Sequence, residues 1–387
     1  LAVSVTELSS FDANAPLLVV TSFAPSNQGG GAVIVRSLLR GSESRVVWAS
    51  LEAAEQGYDG PTAQIRAGRR PWLTPPIVAA RRIDELAQAH SASAIWAVAH
   101  GALVPWLPAL AKTSARGLHV SIHDEPAWGT AFRGRRQLPL VPWLHVQFDR
   151  TIAAATSLDA IGGGMRALIA RRSGRDSIVI HRVLDEPVPV NDVRRDRTRL
   201  TIGLLGSVYG RHQFADLTQM LARASALVGV PARLVVVGAR SARLESAVRT
   251  GGVDVTFTGH LAEPDGIDLL RRSFALYVGY PFGLRDRMIR RTSFPAKLAT
   301  YVQAARPLLV HAPYDSSLAP LFGLQPFVIP WASRDIGDGA RVLASAWREE
   351  SLQGSQDEGA ETVRQAYFSP GNRERLFLLL NQLAGPA

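Results

Sequence analysis

What most constrains this chain is an alternation that starts twice. Short continuous apolar runs, too short for helices, are separated by segments with a helical period. Residues 17–22 (LLVVTS), 45–50 (RVVWAS), 94–99 (AIWAVA) and 118–123 (LHVSIH) read as strands buried on both faces. Between them lie the helical stretch AVIVRSLLRG, ended by Gly41, and others near 77–89 and 104–112. TIAAATS (151–157) and SIVIH (177–181) continue the strand series. Strands alternating with helices predict a parallel sheet covered on both faces.

The pattern then breaks. DEPVPVNDVRRDRTR (185–199) is rich in proline and charge and has no apolar period, so it reads as a linker. Beyond it the alternation restarts, with strands at LTIGLLGS (200–207), ARLVVVGA (232–239), VDVTFTG (253–259), ALYVGYP (275–281) and PLLVHA (307–312). Helices are predicted over 214–228, near 295–304, and over most of 356–383, with an interruption at SPGN (369–372). The 387 residues are too many for one ordinary core. The predicted architecture is α/β, with two doubly wound, Rossmann-like domains facing each other across a cleft. Their expected bounds are 1–185 for an acceptor-binding domain, 186–199 for the linker, and 200–365 for a nucleotide-binding domain. A helical segment over 366–387 is expected to pack back on the first domain. In such sheets ligands lie beyond the carboxyl ends of the strands, so the cleft is the expected site.

Composition narrows the function. There is no cysteine, which excludes a disulfide framework and a thiolate metal site. No apolar run approaches the roughly 20 residues that span a bilayer. The opening LAVSVTELSSFDANAP lacks a basic region and a long apolar core, so no secretory signal is expected. The expected setting is cytoplasmic. Formal charge is +10, and residues 60–182 hold 16 Arg and Lys against 7 Asp and Glu, so nine of the ten excess charges fall there. Such a surface attracts anions: phosphorylated ligands, acidic membranes or nucleic acid. Aromatic residues are only 7% and no recognition motif is present, which argues against nucleic acid. RAGRRPW (66–72), RGRR (133–136) and Arg171–Arg172, joined by Arg81 and Arg82, suit peripheral contact with anionic lipid.

Two stretches suit anion binding. GSVYGRHQF follows the strand at 200–205. Gly206 and Gly210 let the backbone turn closely, and Arg211 and His212 precede the next predicted helix, whose N-terminus favours phosphate. The G-K-[ST] ending of a phosphate-binding P-loop is absent. The second stretch is TSFPAKLATYVQAARPLLV, from Thr292. Thr292 and Ser293 are N-cap candidates, and Pro295 and Lys297 are expected in the first helical turn. Lys297 is one of two lysines in the chain, the other being Lys112. A cation there opposes the helix dipole, a conflict that a bound anion would remove; a solvated lysine at a helix edge is the alternative.

SFPAKLATYVQAARPLLV resembles the S-x-P-x-K-L-x-E-Y-x-A-x-G-x-P-V signature of sugar-nucleotide-dependent glycosyltransferases, particularly the retaining family 4 type with the GT-B fold. Four other stretches agree in order. FAPSNQGGGAVIVRSLLRG resembles the family's N-terminal glycine loop and first helix, and LHVSIHDEPA its strand ending in His-Asp. LDAIGGGMRALIARRSGRDSIVIHRVLDEP is similar to the segment leading into its interdomain linker, and VDVTFTGHL to a strand of its donor domain.

The resemblance implies transfer of a sugar from a nucleoside-diphosphate donor to a hydroxyl of a glycan, lipid-linked or small-molecule acceptor, in bacterial polysaccharide biosynthesis. It implies His123, Arg211 and Lys297 as catalytic groups. Donor contacts would come from Gly29, Gly30, Gly31, Gly206, Ser207, Gly259, His260, Leu261, Thr292, Ser293, Phe294 and Thr300. No cofactor or metal is expected: the sequence has no Cys/His cluster and no D-x-D at a strand end. The chain departs from the family at its E-x7-E pair, where Thr292 and Thr300 stand, and at a helix-ending glycine, where Ala305 stands. The threonines favour an alternative, a binding protein of the same fold without turnover. A sugar-nucleotide epimerase of this shape is a third reading, one that needs acid/base carboxylates in the cleft.

Overall fold

The computed structural model describes residues 16–53, 58–67, 71–126, 140–190, 193, 196–206, 211–238, 252–325, 327–349 and 356–384, with Arg211 described in its backbone alone. The chain divides into two units. Unit 1 comprises Leu1–Val183, Arg291–Phe294 and Ser369–Ala387, and unit 2 comprises Leu184–Arg290 and Pro295–Phe368.

In unit 1 the order is β1 (Leu17–Thr21), α1 (Gly30–Leu39), β2 (Val46–Ser50), β3 (Thr62–Gln64), α2 (Pro76–Ala89), β4 (Ala94–Val98), α3 (Leu107–Thr113), β5 (Gly117–Ile122), α4 (Val141–Ala154), β6 (Ser157–Ala160), α5 (Gly163–Ser173) and β7 (Ile178–Val179). All seven strands are parallel, in the order β3-β2-β1-β4-β5-β6-β7. β1 lies between β2 and β4, with Leu17 level with both Val46 and Ala94. β1, β2 and β4 are buried along their whole length, which is why their sequences are continuous apolar runs.

One polar chain crosses this core. Trp96 Nε1 donates to Ser121 Oγ (2.7 Å), Ser121 donates to Asp159, and His119 joins Asp159 Oδ2 (2.8 Å) to Ser157 Oγ (2.7 Å). His119, Ser121 and Asp159 are buried, so each polar atom needs the partner it has.

Unit 2 repeats the scheme with β8 (Leu200–Leu205), α6 (Arg211–Val228), β9 (Ala232–Val237), β10 (Asp254–Phe257), α7 (Glu263–Arg271), β11 (Ala275–Gly279), α8 (Arg287–Thr292, whose last two residues cluster with unit 1), α9 (Lys297–Ala304), β12 (Leu308–His311), β13 (Val328–Trp331), α10 (Ile336–Arg348) and α11 (Gln356–Tyr367). Its six parallel strands run β10-β9-β8-β11-β12-β13. Phe214, Leu217, Met220 and Leu221 of α6 pack into a core with Trp331 and Trp347. The last helix, α12 (Gly371–Ala384), belongs to unit 1 and packs against β4 and β5. Arg373 anchors it by donating to the carbonyls of Ser37 (2.7 Å) and Leu38 (3.2 Å).

The two doubly wound sheets are the predicted ones. Three local expectations are corrected. TIAAATS is not a strand: residues 151–154 finish α4, and β6 begins only at Ser157. The small alanines of this run sit in a helix whose Phe148, Thr151 and Ile152 face the core. The helix of unit 2 expected over 214–228 begins earlier, so Arg211 and His212 are its first two residues rather than its approach. Thr292 and Ser293 do not cap α9. Thr292 ends α8, Ala296 is the N-cap, and no side chain caps the helix. Here the main chain closes the first turn instead, Leu298 N–H donating to the carbonyl of Pro295 (3.0 Å).

Candidate active site

Unit 1 gathers its polar groups at the carboxyl ends of β1, β4, β5 and β6. Ser22 Oγ meets His100 Nδ1 (2.7 Å) after β1 and β4. Phe23 lies beside both His100 and the glycine loop: a Cβ on Gly31 would stand 2.9 Å from its ring. This loop is braced from within. Asn27 Oδ1 accepts from Gly29 N–H (2.6 Å), and Arg36 of α1 donates to the carbonyls of Asn27 (2.7 Å) and Pro25. Gly29 caps α1 with extended backbone, Gly30 and Gly31 open it, and no acid stands in its first turn. The start of α1 is therefore electropositive, as an anion-binding turn requires.

His123 and Asp124 follow β5. Burial lowers the His123 pKa, with Asp159 opposing and His100 reinforcing that shift, so its imidazole is neutral at pH 7. Burial raises Asp124 to about 6, against the hydrogen bond from Ser293 Oγ to Asp124 Oδ1 (3.2 Å), and the Glu125 charge adds to the rise. Glu125 is itself paired with His145 Nδ1 at 3.0 Å.

Residues 291–294 are held against α5. A Cβ on Gly164 would fall 1.6 Å from the Arg291 carbonyl oxygen, so only glycine lets the two backbones approach this closely. Phe294 completes the contact, its ring centroid 4.4 Å from that of His181. Burial drives His181 down to about 4, with Arg375 adding to the effect. Thr292, Ser293 and Phe294 are all buried.

In unit 2, α9 is fixed to the sheet through Tyr301. Its hydroxyl accepts from Leu205 N–H (2.8 Å) at the end of β8 and donates to the Tyr277 carbonyl (2.9 Å) on β11. Lys297 lies one turn before Tyr301 on the same face of the helix, which sets it beyond the carboxyl ends of those strands. Burial alone lowers its pKa from 10.5 to about 8, although the side chain keeps some contact with solvent. Gly206 ends β8 at φ 68° and Gly259 follows β10 at φ 77°, both in the left-handed region that favours glycine. Gly259 pairs with Gly238 in an antiparallel bridge. His260 and Leu261 are exposed just after it. Ser207 and Gly210 lie outside the described residues, and so does the side chain of Arg211.

Two groups here were not found from sequence. Thr300 Oγ1 donates to Glu263 Oε1 (3.0 Å), so a carboxylate from the first residue of α7 stands at one of the two threonines of the departed E-x7-E pair. No linear spacing signals this, because the two residues lie 37 positions apart. Gln213, in the first turn of α6, is buried, and its side-chain amide has no hydrogen-bond partner among the described residues. Among the described residues no group of three His, Asp or Glu side chains is arranged to hold a metal ion, and no helix is long and apolar enough to cross a membrane.

No family model matches this chain, and no curated protein matches it. Solved structures do. The chain is similar to Anabaena Alr3699/HepE, solved with UDP and glucose, with 14% identity, 94% of this chain and 98% of that one covered, and a TM-score of 0.65. It is similar to the α,α-trehalose 6-phosphate synthase of Burkholderia multivorans, at 13% identity, coverage of 95% and 96%, and a TM-score of 0.63. A trehalose-6-phosphate synthase studied for glycosyl transfer with retention aligns at 13% identity, coverage of 95% and 99%, and a TM-score of 0.62. At such identities the likeness speaks for architecture, and over nearly its whole length this chain has the GT-B fold of those glycosyltransferases.

Proposed function

We propose that this chain is a glycosyltransferase that moves a sugar from a nucleoside-diphosphate donor to an acceptor hydroxyl on a glycan, lipid-linked or small-molecule acceptor, with retention and without a metal. The observation that carries this reading is Lys297: a lysine at the first residue of α9, desolvated until its pKa reaches about 8, in a fold whose solved neighbour HepE holds UDP. A partly desolvated ammonium at the positive end of a helix is stabilised when a diphosphate binds against it.

As the glycosidic bond breaks, negative charge collects on the leaving diphosphate. Preorganised positive groups at that point lower the barrier more than a strong base does. Lys297 and the start of α9 supply them, and Arg211 at the start of α6 is the second cation of the proposal. His123, neutral at pH 7, gives a hydrogen bond to the sugar without competing for the diphosphate. Gly29, Gly30 and Gly31 allow the backbone to approach the donor closely. Glu263, held by Thr300, accepts hydrogen bonds from the ribose diol, and the backbone at Gly259, His260 and Leu261 borders the base.

The test is thermal unfolding of the wild-type chain and of Lys297→Ala with UDP, GDP and dTDP, each followed by a transfer assay with the matching sugar nucleotide. A rise in Tm with one of the three, lost in the variant together with transfer, is expected. No shift with any of them at millimolar concentration refutes the donor site. The threonines at 292 and 300 favour one other reading, a GT-B protein that binds a sugar nucleotide without turnover. Nucleotide binding with neither donor hydrolysis nor transfer would establish it instead.

A further inference from the structure

One carboxylate from outside the glycine loop is bonded into it. Glu52 stands two residues past the end of β2, and β2 lies beside β1, whose carboxyl end opens the loop. A single oxygen, Glu52 Oε2, accepts from Ala24 N–H (3.1 Å) and from Asn27 Nδ2 (3.1 Å). The backbone that carries Glu52 is itself tied down. Leu51 N–H donates to the Thr21 carbonyl (3.2 Å), and Ser50 Oγ donates to the Glu52 carbonyl (2.6 Å).

The bond to Asn27 fixes an orientation. A carboxylate only accepts, so the Asn27 group that faces Glu52 is the NH2. A backbone N–H only donates, so the group that faces Gly29 is the oxygen, at 2.6 Å. Turned over, the amide would lose both bonds and set its NH2 against the Gly29 N–H. There is little slack, because a Cβ on Gly29 would stand 2.9 Å from Asn27 Oδ1. Gly29 is the N-cap of α1, and its carbonyl accepts from Val33 N–H (3.2 Å). The amides of Gly30 and Gly31 come before that bond, so their direction follows from how Gly29 is held.

We propose that Glu52 is a positioning residue: through Asn27 it presets the loop over 24–31 in the shape that receives the donor. The role rests on the donor contact proposed above for Gly29, Gly30 and Gly31. Glu52 is exposed and Asn27 half-buried, so these bonds add little to global stability. Their effect is local. A loop divided among several shapes binds a ligand more weakly, by the fraction of chains that hold the competent one. Arg36, which donates to the carbonyls of Pro25 and Asn27, balances the Glu52 charge within the same loop.

Two measurements on the full chain test this, one of them without a donor. Hydrogen exchange over residues 23–33 in the free protein, read by mass spectrometry, should quicken in Glu52→Ala. It should stay near wild type in Glu52→Gln, whose amide oxygen still accepts both bonds. The second measurement is steady-state transfer, with the sugar nucleotide matched to the nucleotide that raises the wild-type Tm. Its KM should rise about ten-fold in Glu52→Ala, for one lost hydrogen bond to a charged group, with kcat within about two-fold and Tm unchanged. Glu52→Gln should bring KM back to within about three-fold of wild type. Unchanged exchange in Glu52→Ala, or a KM that does not move, overturns the proposal. So does a Glu52→Gln as impaired as Glu52→Ala, which would assign the effect to the charge and not to the brace. Quickened exchange in Glu52→Ala, when wild type binds none of UDP, GDP and dTDP, upholds Glu52 as the brace and refutes the donor site.

Discussion

Replacing Lys297 by Met should raise the stability of the free protein while removing donor binding. The magnitude follows from the depressed pKa. A fall from 10.5 in the unfolded chain to about 8 in the folded one means that folding disfavours the charged amine by at most about 3 to 4 kcal/mol, at about 1.4 kcal/mol per tenfold change in proton affinity. Between pH 8 and 10.5 the unfolded state holds the proton and the folded state does not, so stability rises with pH through this window, and below pH 8 the full cost is present. Met removes that cost and keeps the apolar stem. Since the side chain is only part-buried, about 1–2 kcal/mol of stabilisation at pH 7 is expected. The assay is urea unfolding of wild type and variant at pH 7 and pH 10, where the gap should shrink. Calorimetry supplies a second reading. Donor binding at pH 8 should take up about half a proton, because an amine half charged when free becomes fully charged against a diphosphate. A destabilised Lys297→Met, or binding without proton uptake at pH 8, would refute the reasoning.

Three further outcomes follow from other contacts. Asp124 is raised to about 6 mainly by burial while Ser293 holds its anion, so Ser293→Ala should push the Asp124 pKa higher; the acid limb of a pH–activity profile, or a carboxyl titration by NMR, should move to higher pH by up to about one unit. Gly164→Ala drives a methyl into the Arg291 carbonyl and should cost 1–3 kcal/mol or more in thermal unfolding, whereas Gly163→Ala, with open space around it, should cost nothing. Ala305 ends α9 at φ 46°, a left-handed position, so Ala305→Gly should stabilise the chain by about 1 kcal/mol, read as a rise in Tm.

The strands were the most legible part of the chain, for a physical reason. A strand buried on both faces leaves a run of apolar residues without polar interruption, and β1, β2, β4, β11 and β12 leave one, as do residues 202–204 of β8 and 234–237 of β9. β3 left none, since its three residues are exposed or half-exposed at the sheet edge. The end of α4 was misread because TIAAATS has the threonines and apolar residues of a strand, and only the packing of Phe148 and Ile152 shows its helical phase. The start of α9 was misread for the opposite reason. Thr292 and Ser293 have the chemistry of caps, but the Ser293 hydroxyl is bonded to Asp124 instead. Capping chemistry marks where a helix can begin, and tertiary partners decide whether the cap is used.

The same competition bears on the two threonines that set this chain apart from the family it resembles. Read along the sequence, the loss of acids at 292 and 300 removes two carboxylates from the donor side. In space, a carboxylate stands close to each position. Asp124 is bonded to Ser293, the neighbour of Thr292, and Glu263 is bonded to Thr300 itself. The two are not equivalent. Desolvation raises the Asp124 pKa to about 6 although the residue is only half-buried, and the Ser293 hydroxyl holds its anion against that desolvation. Glu263 heads a helix, where the macrodipole favours its negative charge. A carboxylate fixed by a hydroxyl and a helix end can receive a diol at little cost in order. A strained one such as Asp124 is better suited to titrate than to hold a ligand. At Thr300, then, a carboxylate from another element stands where the threonine is read along the sequence, and a scan for carboxylates at fixed spacing cannot register it.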